Sequence, residues 1–408
     1  LRILCACGSD LSKSIPGAIA QGNSQLTMAN YESPWMNEEL RMFRKALREF
    51  IQEEFVPKQA KWREQHKPDL DAWRQAGATG LLLADIPEEY GGGGGTFAHN
   101  AVVTEELAQA GVNFGTGVQS IVSHYILHYG NEEQKKKWLP AMAQGELIGA
   151  IAMTEPSAGS DLQAIKTTAR RDGNDYVISG SKTFITNGGI ANLVCLAAKT
   201  NPKVAGFRGI SMIIAETKNL AGYRVGKSLE KVGMHEIDTC ELFFDDVRVP
   251  AGNLLGKSEG AGFAQMMDQL RYERLMISVG AIAAIERALE LTIHYAKERK
   301  AFGQTLMEFQ NARFKLAHAK TEAQIGRVYV DNCVLQFLAG KMDPVTAAMV
   351  KVWTTECQSR ILDDCVQLFG GYGYMSEYPI ARMWMDGRVQ RIYAGSNEIL
   401  VELIGSSL

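Results

Sequence analysis

The spacing of apolar residues changes character twice along this chain, and each change constrains the fold more than composition does. From Asn37 to about Gly149, apolar residues recur three and four positions apart. Leu40, Phe43, Leu47, Phe50 and Ile51 show this with charges between them, the period of an amphipathic helix. Asn37-Glu38-Glu39 ahead of the run marks a helix N-terminus. Gly91 to Gly95 is an unbroken run of five glycines, which cannot be helix interior. Helical spacing resumes through Thr104-Glu105-Glu106-Leu107. From Ala150 to about Gly262 the runs shorten and alternate, as in Tyr176-Val177-Ile178, Leu193 to Leu196, Ile210 to Ile214 and Glu241 to Phe244. Gly, Asn, Asp and Pro separate them, predicting a small antiparallel β-domain. From Phe263 the helical period returns, with Leu275, Val279, Ile282, Leu289 and Ile293 on one long stripe. The expected division is a helical segment 31–149, a β segment 150–262 and a helical segment 263–408. No internal repeat is visible.

A chain of 408 residues can bury a large core and divide into two or three domains. A net charge of −3 gives no attraction for nucleic acid or an anionic membrane, and no apolar run reaches the roughly 18 residues that span a bilayer. Seven scattered cysteines read as reduced thiols in the cytoplasm. The first 27 residues are Gly/Ser/Ala/Gln-rich and lack helical periodicity. Leu1-Arg2-Ile3-Leu4 is too short for a signal-peptide core, and one Arg with one Lys is too few for a transit peptide. Residues 1–30 are therefore expected to be a disordered extension, with Met28 the native start.

Three features invite other chemistry and do not sustain it. Gly252-Asn253-Leu254-Leu255-Gly256-Lys257-Ser258 has three residues between its glycines where a phosphate loop has four, and it is expected to follow a Pro-Ala turn and not a strand. His124 and His128 lie four apart, but Tyr125 follows the first and no third ligand is indicated, so they read as structural and no metal site is expected. Cys357 and Cys365 read as helix core. No Gly-x-Gly-x-x-Gly opens a strand–helix unit for a nicotinamide cofactor.

Met153-Thr154-Glu155-Pro156-Ser157-Ala158-Gly159-Ser160-Asp161 leaves the apolar run Ile148 to Met153 and ends in small residues that let backbone N–H groups approach a ligand. Phe184-Ile185-Thr186-Asn187-Gly188 is an alternating strand ending in a dipeptide suited to the positive φ of a hairpin turn. Together they form two β-edges for a flat, polar, phosphate-bearing cofactor. In this order and spacing the pair resembles the acyl-CoA dehydrogenase family, where such segments hold the isoalloxazine ring of FAD. The resemblance runs from about Met36 to Ile404. It implies an α+β multidomain fold: an N-terminal all-α domain, a middle antiparallel β-domain and a C-terminal four-helix bundle that packs in tetramers, dimers of dimers.

Desaturating an acyl thioester requires a base for the α-proton, donors for the enolate oxygen and a hydride acceptor at the β-carbon. Much of the family carries its base as Glu in Tyr-Glu-Gly. This chain has Tyr393-Ala394-Gly395-Ser396-Asn397-Glu398 instead. The long-chain and isovaleryl branches carry the base in a helical Glu-Arg-Leu, which Glu273-Arg274-Leu275 matches. Glu273 has Gln269, Leu270, Met276 and Ile277 three and four positions away, so no local Lys or Arg pairs with it. The bland alternative is a solvated surface acid. Three apolar neighbours favour burial instead, which raises a carboxyl pKa toward that of a working base.

The resemblance further implies that FAD is held by Ile151, Met153, Thr154, Gly159 and Ser160, by Phe184, Ile185 and Thr186, and by Ser396, Asn397 and Glu398. Phe184 stands where many members have Trp. Arg299, Phe302, Gln310, Gln367, Leu368, Gly370 and Gly371 match residues that reach the FAD pyrophosphate and adenine of a neighbouring subunit. Ser160, Arg271, Tyr272, Arg274, Ala394 and Gly395 match the substrate-facing positions, with the Ala394 N–H on the thioester oxygen. Ala264 replaces an aromatic of the long-chain branch. The activity implied is FAD-dependent conversion of a fatty acyl-CoA to the trans-2-enoyl-CoA, with electron-transfer flavoprotein as acceptor, in the cytoplasm or a mitochondrial matrix. Isovaleryl-type or other branched substrates are the runner-up, and an acyl-CoA oxidase or a non-catalytic relative are the further alternatives.

Overall fold

The computed structural model describes residues 31–204 and 206–408. The chain separates into two units after Glu32, the larger being Ser33–Leu408. The expectations for residues 1–30 lie outside the described residues.

The first helix, α1 (Glu38–Phe50), begins at the expected cap. Asn37 Oδ1 accepts the Leu40 N–H at 2.8 Å, satisfying a donor that the first helical turn leaves open. Five further helices complete this layer: α2 (Gln59–Gln65), α3 (Leu70–Ala78), α4 (Phe97–Ala110), α5 (Thr116–Tyr129) and α6 (Glu132–Ala143). The glycine run between α3 and α4 does more than interrupt a helix. The N–H groups of Gly93, Gly94 and Gly95 donate to the carbonyls of Leu83, Ile86 and Ala84. A Cβ on Gly92 would lie 2.3 Å from the Ile86 carbonyl oxygen, so backbone packs directly on backbone.

Seven strands follow: β1 (Gly149–Ala152), β2 (Thr168–Asp172), β3 (Asp175–Thr186), β4 (Leu193–Lys199), β5 (Ile210–Glu216), β6 (Tyr223–Ser228) and β7 (Thr239–Pro250). They form one sheet in the order β1-β4-β2-β3-β7-β6, with β5 also on β4. Three expectations are corrected here. The sheet is mixed, because β1 and β2 both pair with β4 in parallel, while the other pairings are antiparallel. Asn187 does take a positive φ of 62°, but Asn187-Gly188 is not a hairpin turn. Both edges of β3 are already occupied, by β2 and β7, so the chain must leave β3 to reach β4. Asn187 Nδ2 instead donates to the Gly115 and Gly149 carbonyls, each at 3.2 Å. Finally, the Gly252 to Ser258 loop follows β7 almost directly, since that strand runs to Pro250. Gln134 and Asn253 side chains pin the loop through the Gly252, Leu254 and Ile214 carbonyls.

Strand β4 is buried on both faces because its alternation serves two cores. Leu193, Cys195 and Ala197 join the helical core, while Val194, Leu196 and Ala198 join the core on the other face of the sheet. The chain continues through α7 (Gly262–Glu298), a short hairpin of β8 (Lys300–Ala301) and β9 (Gln304–Thr305), α8 (Gln310–Leu338), α9 (Pro344–Phe369), α10 (Pro379–Gly387) and α11 (Asn397–Gly405). The 37-residue α7 packs against α4, α5, α8, α9 and β5. Leu275, Val279, Ile282 and Leu289 are buried along it, as expected of the stripe. Cys357 and Cys365 are buried in α9.

A charge network joins the first helices to the last. Arg327 of α8 is forked onto Glu286 of α7 at 2.9 and 2.7 Å and also meets Glu105 of α4. Glu105 also takes Arg44 of α1, and Glu106 takes Arg48 at 2.8 and 2.9 Å. Trp35 Nε1 donates to Asp331 at 2.9 Å. Removing one partner of a buried pair leaves an uncompensated charge, at a cost of about 3–5 kcal/mol. Arg327→Met is therefore expected to lower the urea midpoint strongly. Arg360→Met removes a half-exposed partner of Glu322 and should cost no more than about 1 kcal/mol. Similar midpoints for the two variants would show that the network does not hold the helical layers together.

Candidate active site

Glu273 lies on α7 one third of the way along its length, 7 % exposed, with no hydrogen-bond partner for Oε1. Burial pushes its carboxyl up to about 7, against the opposing pull of the Arg274 guanidinium. This is the most acute departure from ordinary carboxylate chemistry in the helix, and its cause is desolvation.

The Ala394-Gly395 turn is tied to the same helix. Arg274, itself buried, donates through Nε to the Ala394 carbonyl at 3.2 Å. Ala394 and Gly395 take consecutive left-handed conformations, at φ 52° and 89°, a region that disfavours a residue with a Cβ. From α9, the fully buried Lys351 donates to the Gly395 carbonyl and to Asn397 Oδ1, both at 2.9 Å. Burial brings the Lys351 ammonium down to about 8, helped by the like charge of Arg274. Asn397 Nδ2 is held by Thr355 and Glu356 at 3.0 and 2.9 Å. Ser396 caps α11, and the Glu398 carboxyl sits below its ordinary range through a backbone hydrogen bond at that helix start and the Ser396 hydroxyl.

The sheet edge is braced by a buried ion pair. Lys182 of β3 donates to Glu155 at 2.8 Å and to the Met153 carbonyl at 2.9 Å. Glu155 also accepts the Lys166 and Thr167 N–H groups. Burial lowers Lys182 to about 8. Burial alone would raise Glu155, but the Lys182 charge and the hydrogen bonds outweigh it and hold the carboxyl below its usual range. The Thr183 N–H donates to the Thr154 carbonyl at 3.0 Å, so the strand residue just before Phe184 is tied to the Met153–Asp161 segment. Ile151, Met153, Thr154 and Thr186 are half-buried, and Gly159 and Ser160 are exposed on the loop. Ile185 is buried in the sheet core, which leaves its backbone for any ligand. Phe184 stands 67 % exposed at φ 59°.

Arg299, Leu368, Gly370 and Gly371 come together at the far end of α7, lining a depression of about 590 Å³ with Tyr295, Leu306, Phe369, Tyr372 and Met375. The Arg299 guanidinium lies 5.9 Å from the Tyr372 ring centre, and Tyr295 stacks on Phe369 at 4.1 Å. Gln310 and Gln367 are exposed outside this lining. Phe302 is 97 % exposed at φ 51° in the β8–β9 turn.

Two of the substrate-facing candidates are engaged elsewhere. Arg271 is paired with Asp268 and reaches the Met342 carbonyl. The Tyr272 hydroxyl donates to Asp85 at 3.0 Å and accepts from Asn100. His124 shares the same Asp85 oxygen at 3.1 Å and stacks on Tyr272 at 4.0 Å. Among the described residues no cluster of three or more His, Cys, Asp or Glu is placed to hold a metal ion.

Sequence reasoning missed the Lys182–Glu155 brace and Lys351. The test that singled out Glu273 would have found Lys351, whose neighbours three and four positions away are Ala347, Ala348, Thr354 and Thr355. No acid on its own helix face can pair with it.

Three family models match in sequence: Acyl-CoA dehydrogenase, N-terminal domain over residues 37–146, the middle domain over 150–247 and the C-terminal domain over 260–408. The chain is 44 % identical to the mitochondrial long-chain specific acyl-CoA dehydrogenase of Sus scrofa, covering 90 % of this chain and 86 % of that one. It is 36 % identical to the mitochondrial isovaleryl-CoA dehydrogenase of Pongo abelii, covering 91 % and 88 %. The crystal structure of acyl-CoA dehydrogenase from Geobacillus kaustophilus superposes with a TM-score of 0.90 at 44 % identity, covering 92 % and 99 %. With helices, sheet and helices in the family's order, this chain belongs to the acyl-CoA dehydrogenase family of FAD-dependent oxidoreductases.

Proposed function

We propose that the enzyme removes a proton from the α-carbon and a hydride from the β-carbon of a long-chain fatty acyl-CoA, giving the trans-2-enoyl-CoA. Electrons then pass to an electron-transfer flavoprotein. Glu273 carries this reading: a carboxylate only 7 % exposed, unpartnered at Oε1 and brought to about 7 by burial has the properties of a general base for a weakly acidic C–H. In this reading Glu273 takes the α-proton while the Ala394 N–H donates to the thioester oxygen as negative charge gathers there. Arg274, fixed to the Ala394 carbonyl, places a positive charge next to the base.

The residues fit FAD. Phe184 and Phe302 hold large apolar surfaces in the open at positive φ, and strain with exposure at one residue marks a contact surface. Thr154, Gly159, Ser160, Ile185 and Thr186 would hold the ring beside Phe184. Arg299 would meet the pyrophosphate with a forked, permanent charge, with Gln310, Gln367, Leu368, Gly370 and Gly371 around it. Ser396, Asn397 and Glu398 would close the site from α11. When bound, FAD supplies the acceptor for the β-hydride.

In this reading subunits share cofactor sites in a homotetramer. Phe302, Phe314, Ile325 and Val328 are all exposed, in keeping with faces covered by a neighbour. No helix among the described residues is long and apolar enough to cross a membrane, and we place the enzyme in the cytoplasm or, in a eukaryote, the mitochondrial matrix. The long-chain substrate follows the naming of the 44 % identical relative, with isovaleryl-type thioesters next.

A turnover panel of straight and branched acyl-CoAs with a dye acceptor tests the substrate. Long straight chains are expected to bleach the flavin fastest under anaerobic conditions. Preference for isovaleryl-CoA would move the enzyme to the branched-chain group, and full-rate peroxide formation in air would make it an oxidase.

Glu273→Gln should bind FAD and acyl-CoA nearly as the wild type does, while flavin reduction slows by at least ~10²-fold. In the wild type only the ionised carboxylate accepts a proton. kcat/KM should therefore fall about tenfold for each pH unit below the Glu273 pKa of about 7 and level off above it. Glu273→Gln should lose that acid limb.

Arg299→Ala should lower FAD occupancy, measured by absorbance per subunit, more than Arg74→Ala, which alters an exposed pair with Asp71. Equal occupancy would remove Arg299 from the cofactor site.

A further inference from the structure

The turn carrying the Ala394 N–H is held from two directions by buried cations. Arg274 of α7 fixes the Ala394 carbonyl, and Lys351 of α9 fixes the next carbonyl, that of Gly395, together with Asn397 Oδ1 at the start of α11. The Ala394 N–H itself donates to no acceptor among the described residues. A left-handed alanine is unfavourable by about 1–2 kcal/mol, so it persists only where neighbouring contacts outweigh that preference. Lys351 is fully buried, and its side chain is flanked by Ala347, Ala348, Thr354 and Thr355, all buried as well. An ammonium in that setting is costly unless its donors are used. Two of its three donors are spent on this turn and on the start of α11 that follows it.

Resting on the reading of Glu273 and Ala394 given above, we propose that Lys351 is a positioning residue for enolate formation: it holds the Ala394-Gly395 turn in its left-handed conformation and so keeps the Ala394 N–H where the thioester oxygen's charge develops. Lys351 does not touch the substrate in this scheme. It acts through the backbone, and Asn397, held in turn by Thr355 and Glu356, makes its second anchor. The charged groups that bear on Lys351 are Arg274 from α7, Glu398 from α11, Glu356 from its own helix and Arg391 from the turn before α11.

The test separates enolate formation from hydride transfer. A 3-thia-acyl-CoA has sulfur at the β-position and cannot yield a β-hydride, yet its α-protons can exchange with D2O through the enolate, read by NMR. In the FAD-loaded enzyme, Lys351→Met is expected to slow both this exchange and flavin reduction by about 10²-fold, the effect of a displacement near 1 Å at a reacting group. Binding of the 3-thia-acyl-CoA should remain nearly unchanged. Lys351→Gln keeps a neutral donor and should show an intermediate loss. It also serves alone if Lys351→Met does not accumulate as a folded holoenzyme. Wild-type exchange per FAD-loaded subunit in these variants, with only melting temperature or FAD content lowered, would reduce Lys351 to a packing role and overturn the proposal. Glu273→Gln runs alongside. Its exchange should vanish, and exchange at the wild-type rate there would instead sink the assignment of the base, whatever Lys351 does.

Discussion

Burying the Glu273 carboxylate without a hydrogen-bond partner sets the terms for the rest of the molecule. Its shift from 4.5 to about 7 amounts to about 3 kcal/mol of preference for the protonated form. The folded state holds that proton more tightly than the unfolded chain does. This contribution to stability is therefore present below the unfolded value and lost as pH rises through the folded one. Above that, the fold carries a desolvated charge that opposes it. The carboxylate is held in its buried place by α7, which packs on helices of both layers and on β5.

Other buried charges are treated in the opposite way. Lys182 and Glu155 pair with each other, and Glu155 takes two further backbone donors. Arg327 has carboxylates from three helices, and Lys351 has two oxygen acceptors. Satisfaction of buried polar groups is the rule in folded proteins. Against that background an unpartnered carboxylate oxygen on a core helix is informative. The paired charges hold backbone in place, while Glu273 Oε1 has no such partner.

Much of the site was legible because its signals are local. Glu273 stood out by its apolar neighbours at helical spacing, and its burial agrees. Asn37 caps α1 as its position ahead of an apolar period requires, and Asn187 adopts the positive φ that its type tolerates. The meaning of Asn187 was not local. A hairpin needs a free edge on the strand just completed, and β3 has none, so the same backbone conformation became a docking point on α5 and β1. The mixed sheet was hidden for a related reason: β4 alternates between two cores, and a strand buried on both faces carries no pattern that reveals the direction of its neighbours.

Local chemistry is written in the order of residues: periods of three and four or of two, caps, glycine runs and the motifs that resemble the family. These determined the sequence of helices, strands and helices and the identity of the candidate base. Which distant groups meet was decided only by the tertiary structure, because contacts such as Lys182 with Glu155, Arg327 with Glu105 and Lys351 with Gly395 join residues far apart in the chain. Desolvation is likewise a property of the assembled core. The sequence names Glu273 as an acid on an apolar face, but only the packing of α7 among its neighbours buries it and brings its carboxyl up to about 7.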